Sequence, residues 1–410
     1  MCLSPRDDRY MTGTTRSEVC AVRIGIQVLS LKPGQVGGQE VFVRRLLRHL
    51  VPQLGDERLV LFLRPELASE PACDALCAHP RVEAVVENPE RHYGDGYAAW
   101  NLRLLERAAL EVVYFPLSFF YPRPLPLPVV LHVPDIQHEY FPEYFPPEQL
   151  AWRRERIPES IALADAVITY TSFSADGLRE KLGADPARLH VIPAGGFLEN
   201  EIYPGTGDAT ATSDSAGGHP FIFYPAADWP HKNHETLLRA MAILAERGRT
   251  EHLLLTGMLS QRGGALRILT DDLGLSDRVH SLGCVSQEQL IRLYRTAELM
   301  AFPSHFEGFG LPLVEAMQLG CPVVASKAEG VVETAGDAAI FCDDDPHAWA
   351  ETLASVLDNA ELRADLRRRG HERVAHFDWN RCAAEHLALL RELGRGDPAI
   401  AIARSEGRYA

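Results

Sequence analysis

The sequence predicts an α/β protein of two parallel-sheet domains facing each other across a cleft. Three observations predict it. Strand and helix signals alternate through the first half of the chain, as in sheets whose faces are covered by helices. The segment Gly205–Pro220, GTGDATATSDSAGGHP, is small, polar and without apolar period, which marks a linker. The alternation then restarts. At roughly 100–200 residues per domain, a 410-residue chain has room for two such units.

The elements follow in order. Residues 1–20 are polar and charged and read as a loose tail, without the apolar core of a signal peptide. Val22, Ile24, Ile26 and Val28 alternate as a strand does. A loop with Gly34, Gly37 and Gly38 leads into Val43, Leu46, Leu47 and Leu50 at helical spacing, with Arg44, Arg45 and Arg48 taken as the opposite, solvated face. Apolar runs at 59–63, 112–115, 129–133, 166–169 and 189–193 complete a first domain over residues 21–204. Residues 205–220 are the linker. A second domain over 221–390 has strand-like runs at 221–224, 253–255, 299–302 and 323–325. Helical stretches there are Glu235–Glu246, Gln287–Thr296 and Pro312–Leu319. Residues 394–410 read as a tail.

Apolar residues at 46% and charged residues at 24% are the balance of an ordinary soluble globular protein. A net charge of -15 argues against nucleic acid as a partner, since phosphate backbones attract basic faces. The eight cysteines are scattered without paired CxxC sets, so a zinc site is not expected and a reduced cytoplasmic setting is. No apolar run reaches the ~18–20 residues of a membrane helix. Attachment of the Arg44, Arg45, Arg48 face to an anionic membrane surface is the alternative to a purely soluble reading.

One segment carries chemistry most plainly: Ser304-His305-Phe306-Glu307-Gly308-Phe309-Gly310-Leu311-Pro312-Leu313-Val314-Glu315. The order is strand, glycine loop, helix. Pro312 suits a first helical turn, where no amide hydrogen is needed. Free amides and the dipole at a helix start form an anion site. Glu307 stands at the loop mouth, and Glu315 about one turn into the helix. No GxGxxG, GxxxxGK[ST] or GxSxG pattern is present, so hydride transfer, a P-loop and a hydrolase elbow lack their fingerprints.

The stretch resembles the E-x7-E signature of glycosyltransferase family 4, the large group 1 family. Gly37-Gly38-Gln39-Glu40, Asp165–Ser172, Val191–Gly195, Trp229–His234, Gly283–Ser286 and Gly320–Ala325 resemble further segments of that family in the same order. The likeness spans almost all of residues 22–390. It implies the GT-B fold, in which the last helix, near 379–393, crosses back to the first domain. It also implies a retaining glycosyltransferase that takes a hexose from a UDP- or GDP-sugar. The acceptor would be a glycan, a lipid-linked intermediate or a small natural product.

The resemblance distributes roles as follows. Lys232 contacts the diphosphate, although Ala226 stands where many members carry a second cation, an arginine. Glu315 accepts hydrogen bonds from the ribose hydroxyls, and Glu307 contacts the transferred sugar. The backbone of Gly308, Phe309, Gly310 and Leu311 holds sugar and diphosphate, and Gly38 lets the first loop approach the donor. The resemblance assigns nothing to Arg262; its place in the Leu259–Gly264 loop makes it a candidate substitute for the missing arginine, a solvated loop residue being the other reading. In Leu131–Pro142 the Asp-x-Gln-His resembles the family's HDLQH stretch, with Pro134 where a histidine is common. His132 and His138 are both candidates for the residue beside the transferred sugar. His231 and His234 read as polar residues at a helix start. No convincing Asp-x-Asp stands at a strand end; Asp343-Asp344-Asp345, after the Ala339–Phe341 run, reads as an Asp-rich turn. No metal or other cofactor is therefore expected, and cations and amides must meet the leaving group's charge. An epimerase on the same fold, a phosphorylase with pyridoxal phosphate and a non-catalytic nucleotide-sugar binder are the rival readings.

Overall fold

A computed structural model of the chain describes residues 21–33, 37–92, 96–196, 216–258 and 263–396. The tail 1–20, linker residues 205–215, Arg262 and most of the tail beyond 394 lie outside them. The described residues form two parallel sheets. The first holds β1 (Arg23–Gln27), β2 (Arg58–Leu63), β3 (Val82–Val86), β4 (Val112–Phe115), β5 (Val129–His132), β6 (Ala166–Thr169) and β7 (Leu189–Val191), in spatial order β3-β2-β1-β4-β5-β6-β7. The second holds β8 (Phe221–Pro225), β9 (His252–Thr256), β10 (Val279–Ser281), β11 (Leu299–Phe302), β12 (Val323–Ser326) and β13 (Ala339–Cys342), in order β10-β9-β8-β11-β12-β13.

Strands β4, β5, β6, β11 and β12 are buried at every residue, because helices cover both faces. That is why they read as unbroken apolar runs. The sequence does not announce β3, an edge strand with Glu83 and a largely exposed Val86. In each sheet the strand order reverses once, between β1 and β4 and between β8 and β11. A parallel sheet opens a crevice for ligands at such a point, beyond the carboxyl ends of its strands.

The helix Trp379–Gly394 belongs by sequence to the second half, yet it packs on the helix Gly38–Leu50 and on β1 and β4. Arg391 pairs with the buried Glu57 at 2.7 and 3.0 Å, and that pairing pulls the Glu57 carboxyl down to about 2. Trp379 Nε1 donates to the Gly196 carbonyl at 2.6 Å.

The expected solvated arginine face is corrected here. Arg44 binds Glu40 at 2.7 Å and also Glu70, and Arg45 is only 2% exposed. Of the three arginines, Arg48 alone is exposed. The Gly38–Leu50 helix lies between the first sheet and the second domain, so it buries two faces where an amphipathic surface helix buries one.

The acidic turn 343–345 is a structural junction. Asp343 pairs with Lys327, Asp344 accepts from Asn233 at 2.7 Å, and Asp345 caps the helix Pro346–Asp358 by accepting from the Ala348 amide.

Candidate active site in the interdomain cleft

The loops at the two reversal points face one another. Gly37 (φ 60°) caps the helix Gly38–Leu50, and Gly310 (φ 83°) caps the helix Leu311–Gln318. Both need the left-handed backbone that glycine adopts at little cost. A Cβ built on Gly38 would lie 3.9 Å from Leu311 Cδ1, so the two helix starts converge. Their unpaired amides and dipoles favour negative charge between them.

Lys232 ends the short turn after β8. Its carbonyl accepts from the buried Tyr224 hydroxyl at 2.7 Å, and its ammonium stands 2.5 Å from Glu307 Oε1. Asn233, which follows in left-handed conformation, donates to Pro303 O and Asp344. Thus β8, β11 and the acidic turn together fix the Lys232–Glu307 pair.

Glu307 itself is set by contacts on both sides. A Cβ on Gly330 would stand 2.0 Å from the Glu307 carbonyl oxygen, and a Cβ on Gly308 would stand 2.4 Å from Pro134 O. The loop threads between two backbones, and only glycine fits at either point. From the first domain, the Thr171 hydroxyl donates to Gly308 O at 2.8 Å. The Glu333 carboxylate of the second domain accepts from the Ser172 and Phe173 amides at 2.7 and 2.8 Å, capping a helix of the first. Tyr144 OH lies 3.0 Å from His305 Nδ1, a further bond between the halves.

Glu315 is 8% exposed. Its Oε1 accepts from Arg45 at 3.2 Å and its Oε2 from the Tyr294 hydroxyl at 3.1 Å. Burial pushes its carboxyl up, while Arg45 and Tyr294 pull it back. Phe309 is buried, its ring 5.5 Å from Tyr170 and 5.4 Å from Phe377.

The structure treats the two histidines alike. His132 is fully buried among Phe42, Tyr170 and His386, with Nδ1 3.0 Å from Tyr114 OH. His138 is fully buried against Phe145, and burial pushes it down to about 4. Neither touches Lys232 or Glu307. The group brought to them is Asp135, whose Cβ would lie 2.8 Å from a Cβ on Gly308. Burial pushes the Asp135 carboxyl up, and the charges of Arg153, Glu307 and Lys232 all act on it. Sequence reasoning gave no part in the cleft to Asp135 or Tyr294, and placed Arg45 on a solvated face. Asp135 stood in the quoted Asp-x-Gln-His and was readable. The other two meet Glu315 only through the tertiary fold.

Among the described residues, no group of three His, Cys, Asp or Glu side chains is placed to hold a metal ion. No described helix is long and apolar enough to cross a membrane.

Two family models match successive parts of the chain. Glycosyltransferase Family 4 matches residues 36–195, and Glycosyl transferases group 1 matches residues 209–373. D-inositol 3-phosphate glycosyltransferase of Nocardia farcinica is 35% identical over 231 residues, covering 53% of this chain and 51% of that protein. The protein of the same name from Mycolicibacterium smegmatis is 34% identical over 259 residues, 60% and 58% of the two chains. The chain spans about half the length of the curated relatives it matches. Among solved structures, an Anabaena protein, Alr3699/HepE, with UDP and glucose superimposes with TM-score 0.67 at 20% identity, over 91% of this chain and 100% of that one. Sucrose-phosphate synthase of Thermosynechococcus elongatus gives 0.69 at 21% identity, over 91% and 99%. At such identities the likeness is one of fold, and that fold is GT-B.

Proposed function

Because the chain belongs to the group 1 glycosyltransferases of family 4, we propose that it moves a hexose from a UDP- or GDP-sugar to an acceptor hydroxyl with retention at the anomeric carbon. The observation that carries this reading is the Lys232–Glu307 pair at 2.5 Å beside two converging helix starts. The bond between the anomeric carbon and the diphosphate oxygen breaks, and the nucleoside diphosphate leaves. The acceptor oxygen bonds to the same face of that carbon, and its proton passes to the leaving phosphate. Lys232 and the amides at Gly38 and Leu311 oppose the growing negative charge. Glu307 orients the transferred sugar, and Glu315 accepts hydrogen bonds from the ribose. Asp135 faces the sugar from the first domain. The acceptor is a glycan, a lipid-linked intermediate or a small molecule.

The test is turnover of UDP-glucose and GDP-mannose with D-inositol 3-phosphate, the compound in the relatives' name, as the first acceptor tried. Donor consumed with a glycosylated product supports transfer. Donor isomerised without acceptor would indicate an epimerase, and binding without turnover a mere binder. We expect full turnover in EDTA, since the sequence carries no convincing Asp-x-Asp at a strand end to hold a divalent cation. Loss of activity in EDTA, restored by magnesium or manganese, would overturn the metal-free reading.

Glu315→Ala should raise the donor KM about 10- to 100-fold while kcat stays within a few-fold, as for loss of hydrogen bonds to a charged group made equally in ground and transition states. Initial rates against donor concentration decide this. A fall in kcat at unchanged KM would remove the ribose assignment.

A further inference from the structure

We infer that Arg45 is a positioning residue for donor binding, holding the Glu315 carboxylate ionised and aimed from across the domain boundary. The inference rests on the ribose role given to Glu315 above. Arg45 lies on the helix Gly38–Leu50 of the first domain, and Glu315 on the helix Leu311–Gln318 of the second. Their side chains are 2% and 10% exposed and meet at 3.2 Å. Each then has a reason to need the other. A guanidinium this deeply buried persists only against an opposite charge. A carboxylate this deeply buried drifts toward its neutral form unless a cation faces it.

The neutral form would be a poor ribose ligand, because one oxygen would carry a proton and accept weakly. A vicinal diol donates two hydrogen bonds, and an ionised carboxylate offers both oxygens to receive them. Tyr294 reaches Glu315 from the helix Gln287–Thr296, and Cys321 lies near Tyr294. Burial pushes the tyrosine well above its usual range and the thiol up to about 12, so both stay neutral and supply no charge. Arg45 is therefore the cation that acts on Glu315. Because it comes from the opposite domain, the donor site is complete only when the two domains are together.

The experiment measures the affinity of UDP and of GDP, each alone, by calorimetry from about pH 6 to about pH 9 for wild type, Arg45→Gln, Arg45→Lys and Glu315→Gln. In Arg45→Gln the affinity should be weaker by about 10- to 100-fold at the acid end, the loss of a hydrogen-bonded charge. It should recover toward wild type as the pH rises, because Glu315 then ionises without help. Arg45→Lys should retain most of the wild-type affinity across the range. Recovery within one preparation separates this effect from misfolding, which alkaline pH does not repair. An Arg45→Gln protein that binds as wild type, binds more tightly, or is weakened equally at every pH would overturn the inference. Glu315→Gln binding as wild type would remove the ribose role itself. Glu315→Gln weakened with Arg45→Gln unaffected would remove only the part given to Arg45.

Discussion

Replacing Lys232 by alanine should lower kcat/KM about 100- to 1,000-fold, the usual effect of removing a group that stabilises developing charge, or about 3–4 kcal/mol. Two things place the loss toward the upper end. Ala226 stands where a second cation is common in the family, so little replaces the ammonium. The substitution also leaves the Glu307 carboxylate, 11% exposed, without its counter-ion at 2.5 Å. A double variant separates these causes. If Lys232→Ala with Glu307→Gln regains part of the loss, the unpaired carboxylate accounts for that part. Arg262→Ala should cost less. Lys232→Ala within about tenfold of wild type in kcat/KM, with Arg262→Ala the more damaged, would transfer the phosphate role to the loop arginine.

Gly330→Ala should lower kcat about 100-fold while leaving the fold intact. Gly330 is the second residue of the helix Glu329–Ala335, where alanine is the better helix former by about 1 kcal/mol. On propensity alone the change stabilises. But the new methyl would stand 2.0 Å from the Glu307 carbonyl oxygen and 3.3 Å from Phe173 Cδ1. A backbone oxygen cannot yield as a flexible side chain does, so the Glu307 loop must shift. A displacement near 1 Å in a positioning group typically costs about 100-fold. Circular dichroism and a thermal melt should stay near wild type while turnover falls. Activity within about threefold of wild type would show that the Glu307 position is loose.

The sheets were legible because their central strands are buried on both faces and read as apolar runs with helical periods between them. The loop from Glu307 to Leu311 was legible because its glycines and Pro312 are local requirements of a strand-to-helix turn. Three features were hidden for stated reasons. Val82–Val86 has no buried face to give it a period. Arg45 looked solvated because its helix has a second buried side supplied by residues some 270 positions away. His132 was a candidate because the family that the Leu131–Pro142 stretch resembles carries a histidine near the transferred sugar in this neighbourhood. Here the returning helix Trp379–Gly394 covers it with His386.

That returning helix has a consequence for biosynthesis. It is translated after the whole second sheet, yet its seat is on the first domain, over Phe42 and Tyr114. The first domain to emerge from the ribosome therefore cannot cover that apolar seat until Trp379–Gly394 follows it out, although domains in general fold as they appear. A chain stopped just before Trp379 would carry a complete second domain and a first one with an uncovered apolar groove. Chaperones and proteases act on such a surface, so loss of the Trp379–Gly394 helix would be felt in the half of the molecule made first.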